Sequence, residues 1–84
     1  MFDVNQFIKD HPEPLWDKDP DSLREHNAQT RLWRLYIKQA ALEHYQIRNN
    51  PKADRCWDLA WNYGHANGFY DVVSYLDDLV SLIK

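Results

Sequence analysis

Cys56 and His65 are the residues of this chain that would make a nucleophile and its base, a thiolate formed as the imidazole takes the thiol proton. They stand nine residues apart in CWDLAWNYGH, a stretch that reads as one helix. At ~3.6 residues per turn and ~1.5 Å rise, that spacing puts them on opposite faces and ~13 Å apart along the axis. A solitary Cys beside a Trp is then better read as a small buried hydrophobe. The histidines His11, His26, His44 and His65 show no HxxxH or HExxH spacing, and CxxC is absent. No carboxylates fall at EF-hand offsets either. The expectation is a protein that is not an enzyme and uses no metal or cofactor.

The composition is that of an ordinary globular chain, with 44% hydrophobic and 27% charged residues in 84 positions. A chain of this size buries only roughly 60% of its unfolded surface. Four Trp, five Tyr and three Phe compensate, since each large ring buries about 150–250 Å². The single Cys excludes an internal disulfide. MFDVNQFIKD lacks the basic start and apolar run of a secretory signal, and no apolar run approaches the length of a membrane span. These features predict a complete, small, cytoplasmic protein that does not insert into membranes. Charge is segregated along it, with net −4 over residues 1–21, +4 over 22–55 and −3 over 56–84.

Two Gly and no alternating runs predict an all-α fold. It is a small bundle of three to four helices in a single domain, residues 1–84. A short first helix starts at Asp3 as N-cap and runs to Lys9, with Phe7 and Ile8 facing inward. DHPEPLWDKDPD holds three of the four prolines, so residues 1–19 read as an N-terminal arm with one short helix. Asp19 followed by Pro20 opens a long central helix, residues 20–48, and Asn50 followed by Pro51 opens the next. The long helix would span ~43 Å, against ~24 Å for each helix after it. Its polar first half therefore needs a cover. The arm is the expected one, because Phe2, Phe7, Ile8, Leu15 and Trp16 otherwise have nothing to bury against. A break in the helix and homodimerisation are the other options.

Residues 51–67 and 69–84 read as an antiparallel helical hairpin, with Asn67 and Gly68 as its turn and Asp71 in the first turn of the last helix. Trp57, Trp61 and His65 recur every four residues as one stripe, and Val72, Leu76, Leu79 and Ile83 form another. Gly64 allows a close approach by a neighbour. ANGFYDVVSYL, residues 66–76, resembles the inner turn of an ankyrin repeat, A-x-N-G-x-x-[DE]-V-V-x-x-L, less one spacer after the Ala. The resemblance covers those 11 residues, with no TPLH-like opening upstream and no internal repeat. A lone half-repeat cannot bury its own face, so the match is read as convergence on hairpin physics.

Recognition remains as the expected function. Arg24, Arg31 and Lys38 recur every seven residues, with Arg34 between them at a helical offset. Such a stripe is ordinarily a solvated face. Its functional reading is a surface for an anion, and the acidic residues Asp10, Glu13, Asp17 and Asp19 of the arm could fold back on it. Trp16, Trp33, Tyr36, Tyr45 and Tyr70 are candidate contact residues, because Trp, Tyr and Arg are enriched in binding hot spots. The leading expectation is a regulator, inhibitor or adaptor that binds another protein with an acidic or apolar patch. The alternative is a binder of nucleic acid or a nucleotide-like anion through Arg24, Arg31, Arg34 and Lys38. A sequence pI near 5.7 weighs against that alternative.

Overall fold

The computed structural model describes residues 1–84. The chain is all-helical, with four α-helices: α1 (Val4–Asp10), α2 (Leu23–His44), α3 (Ala53–Gly64) and α4 (Phe69–Ile83). Short 3-10 turns, Pro20–Ser22 and His65–Asn67, lead into α2 and out of α3. Asp3 caps α1 as the sequence predicts, its Oδ1 accepting from the Gln6 N–H at 3.0 Å. The residue of α1 that is buried, however, is Val4, while Phe7 is half-buried and Ile8 is exposed. Asp19 and Pro20 start the 3-10 turn, and the α-helix proper begins at Leu23.

α2 ends four residues before the expected Arg48, and the reason is a Schellman closure built without glycine. Gln46 takes φ 60°, the left-handed region. Its N–H then donates to the Glu43 carbonyl at 3.0 Å, and the Ile47 N–H donates to the Leu42 carbonyl at 3.0 Å. Leu42 and Ile47 are both buried, which supplies the apolar contact that accompanies this motif. The left-handed conformation costs a residue with a Cβ roughly 1–2 kcal/mol, and seating Ile47 in the core offsets it. Asn50 then accepts from the Lys52 N–H at 2.8 Å, and α3 begins at Ala53.

α3 and α4 pack on one another through small contacts. A Cβ built on Gly64 would lie 2.6 Å from the Val72 nitrogen and 2.7 Å from the Asp71 carbonyl carbon, so only glycine permits this approach. Between the helices Gly68 adopts φ 111° and ψ 175°, a conformation that residues with a side chain rarely take. One cluster of 15 buried residues forms the core, and it contains no buried polar or charged side chain. Cys56 is among them, as are Trp57, Val72 and Leu76.

The expected cover for the first half of α2 does not form. No residue from Leu23 to Leu32 is buried. Leu15 is 93% exposed, and Trp16 lies against His26 without closing over the helix. Phe2 and Phe7 do find partners, but further along α2, where Phe7 meets Trp33 at its middle and Phe2 meets His44 at its end. The result is a 45 × 23 × 22 Å molecule, elongated because α2 projects beyond the elements packed on it.

Two substitutions test these backbone constraints by urea unfolding. Gly64→Ala should lower stability by about 1–3 kcal/mol, because the clash with backbone outweighs the ~1 kcal/mol gain in helix propensity. Gln46→Gly should raise the unfolding midpoint, by about 1 kcal/mol of stability, through relief of the left-handed strain.

Candidate functional site

The basic stripe divides where α2 leaves the core. Lys38 is drawn to α3, its Nζ 3.0 Å from Asp54 Oδ1. Arg34 lies over the Trp61 ring at 5.2 Å from the centroid, and Trp61 stacks on His65 at 5.2 Å with the planes 10° apart. Arg24 and Arg31 make no ion pair. The chain's other salt bridge, Arg48 to Glu43 at 3.9 Å, spans the C-terminal end of α2, away from Arg24 and Arg31.

The acidic residues of the N-terminal segment do not fold back on these bases. They hold local turns instead. Asp17 accepts from the Asp19 N–H at 3.0 Å and the Ser22 hydroxyl at 2.8 Å, bonds that keep its carboxyl below the usual carboxylate range. Asp19 accepts from the Asp21 N–H at 3.1 Å, and Asp10 from the Gln6 side-chain amide at 3.0 Å.

Of the aromatic candidates, Trp33 and Tyr45 belong to the core and offer no surface. The Trp33 indole N–H donates to the His11 carbonyl at 2.7 Å, and the Tyr45 hydroxyl accepts from the Phe2 N–H at 3.2 Å. Both are amphipathic rings whose polar tips tie down the N-terminal segment. Trp16 is partly exposed, stacks on His26 at 6.3 Å, and donates its indole N–H to the Asp19 carbonyl at 3.0 Å. Tyr70 is exposed on α4, on a different helix from the stripe. Tyr36 alone among the aromatic candidates lies exposed on α2, at 50%.

Tyr36 has companions that were not among the candidates read from the sequence. Leu32 is 49% exposed and Leu35 44%, and with Ala28 they share the side of α2 turned away from Trp33, Ile37 and Ala41. The signal was present in the sequence. Trp33, Ile37 and Ala41 at four-residue spacing already fill the inward stripe, so apolar residues at 28, 32, 35 and 36 had to fall elsewhere. α2 thus carries two apolar faces, one buried and one open, and the open one is bordered by Arg24 and Arg31.

No group of three or more His, Cys, Asp or Glu side chains converges as a metal site would require. Cys56 is buried while His65 is exposed, its Nδ1 2.7 Å from the Trp61 carbonyl, so the two do not form a catalytic pair. No helix is long and apolar enough to cross a membrane. A model described as a family of unknown function (DUF8546) matches residues 3–84. The chain belongs to that family. No curated protein and no solved structure matches it.

Tyr45 supplies a pH test of the N-terminal clasp. Burial pushes its phenol up to about 12, and the Asp77 carboxylate acts the same way, while the Phe2 N–H opposes them. A phenol raised in the folded state contributes stability in full below its unfolded pKa of about 10. That contribution is lost as pH rises through the folded value. The difference in urea midpoint between the wild type and Tyr45→Phe should stay flat up to about pH 10 and shrink from there towards pH 12.

Proposed function

Membership in a family of unknown function assigns no activity, and we propose from the geometry that this chain is a non-enzymatic regulator, inhibitor or adaptor that binds another protein through the open face of α2. The observation that carries the reading is the pair Leu32 and Leu35. Both are half-exposed on a helix whose inward stripe is already filled. Two leucines, a tyrosine and free arginines side by side make the mixture of apolar anchor and polar rim that protein interfaces use.

In this reading the chain is one domain. α3 and α4 act as an antiparallel hairpin that holds the second half of α2, and residues 1–19 form a Pro-rich arm whose start is tied to Trp33 and Tyr45 and whose end lies at the first turns of α2. The first half of α2 is left to the partner, and the site of action is the cytoplasm. The nucleic-acid alternative is weaker on this geometry. Lys38 and Arg34 are engaged with α3, leaving Arg24 and Arg31. Each phosphate neutralised contributes only about −0.9 to the slope of log K against log salt, so two free bases give little affinity at physiological salt.

The test compares the wild type with Leu32→Gln/Leu35→Gln as bait in extract from the source organism, with and without nuclease. The double variant should keep its unfolding stability within about 0.5 kcal/mol, as surface changes do. It should lose the proteins that the wild type captures, whether or not nuclease is present. Capture that is unchanged in the variant, or that vanishes with nuclease, would sink the proposal.

A further inference from the structure

The open face of α2 has a heptad register, and the register says what kind of partner it takes. Ala28, Leu32, Leu35 and Gln39 are spaced by four, three and four residues, the seam positions of a helix that packs on another helix. The pattern continues to Leu42, but that side chain is buried in the chain's own core, so the open seam ends at Gln39. At its other end the seam position is Glu25, which accepts from the Gln29 side-chain amide at 3.4 Å. The accessible seam therefore spans about three helical turns, ~17 Å.

The two edges of this seam differ. Arg24, Arg31 and Lys38 line one edge at seven-residue spacing. Gln29, Tyr36 and Glu43 line the other, all exposed. Edge residues decide partner and orientation when helices pair. A second copy of this chain is a poor match for either orientation. Packed parallel, the basic edge of one copy faces the Gln29, Tyr36 and Glu43 edge of the other, leaving Arg24 and Arg31 without carboxylates. Packed antiparallel, basic edge faces basic edge, and like charges repel. Only Lys38 already has an acid, Asp54 of its own chain.

We infer that the partner is an amphipathic helix of another protein that seats apolar side chains on Ala28, Leu32 and Leu35 and presents Asp or Glu at heptad spacing to Arg24 and Arg31. The inference rests on the proposed docking face and adds the chemistry of its occupant. Apolar contact along the seam supplies the attraction, and the two arginines select the acidic partner and reject a basic one.

The probe is a synthetic helical peptide of about three heptads with Leu at the seam positions and Glu at both edges. A second peptide carries Lys at both edges. Binding to the full chain is followed by fluorescence anisotropy at about 50 mM salt, where charge selection is least screened. The Glu peptide should bind at least tenfold more tightly than the Lys peptide. Arg24→Glu/Arg31→Glu should invert the preference, and Arg24→Gln/Arg31→Gln should abolish it without inversion, each variant retaining the wild-type helical circular dichroism. Equal binding of both peptides, lost in Leu32→Gln/Leu35→Gln, would overturn the acidic partner and leave the docking face standing. Failure of both peptides to bind would overturn the helical partner, with the capture experiment deciding the docking face separately. A wild-type dimer in sedimentation equilibrium that dissociates in Leu32→Gln/Leu35→Gln would assign the seam to a second copy and overturn the inference.

Discussion

The Trp33 indole is where the separate parts of this chain meet. Its N–H is spent on the His11 carbonyl at 2.7 Å, which fixes the point where the chain leaves α1. Its ring lies 6.1 Å from Phe7 and 5.1 Å, edge-on, from Phe69, so it joins α1 and α4 to α2 at one position. A buried indole N–H without a partner would cost about 1–3 kcal/mol, and a tryptophan truncated from a core costs about 3–5 kcal/mol. Trp33 also sets a boundary. Ile37 and Ala41, one and two turns further along the same face, are fully buried, whereas nothing on α2 before Trp33 is.

That boundary follows from lengths. α2 has 22 residues and spans ~33 Å, while α3 with 12 and α4 with 15 span ~18 and ~22 Å. Glycine at 64 brings α3 and α4 close enough for alanine and valine to fill the space between them, so these two helices form a dense but short platform. A short platform can bury only half of a long helix. The other half projects, and its apolar residues stay in contact with water.

The fold class and the cap at Asp3 were legible in the sequence, because capping chemistry is local and its residues are distinctive. Asp19 and Asn50 instead open turns, and the α-helices begin later, at Leu23 and Ala53. The end of α2 was not legible. It depends on a glutamine in the left-handed region, a conformation that sequence assigns to glycine, and what secures it is the burial of Ile47, a non-local fact. The candidate surface was half legible. Arg24, Arg31 and Tyr36 were found from spacing and type. Trp33 and Tyr45 were mistaken for surface, since an aromatic count cannot say which rings the core claims. Leu32 and Leu35 were missed, because the apolar second half of α2 was read as one run without separating its inward stripe from its outward one. The engagement of Lys38 and Arg34 with α3 likewise depends on Asp54 and Trp61, which lie far along the chain.

A projecting helix with no buried face should fray, since an isolated helix of about ten residues is marginal in water. Here the turn before it substitutes for packing. Asp17 takes the Asp19 N–H and the Ser22 hydroxyl, Asp19 takes the Asp21 N–H, and Trp16 closes over this turn by donating to the Asp19 carbonyl and stacking on His26 in the helix's first turns. The acids satisfy donors of the 3-10 turn that leads into the helix, and their charge lies at the positive end of its dipole. Helical order is thus secured from the free end by Asp17, Asp19 and Trp16 and from the core by Trp33, with Ala28, Leu32, Arg24 and Arg31 between the two. Under the proposed function, a face held at both ends needs little further ordering on binding, which is where much of the cost of association otherwise falls. Within that proposal the role of Trp16 is to hold the face in shape rather than to touch the partner.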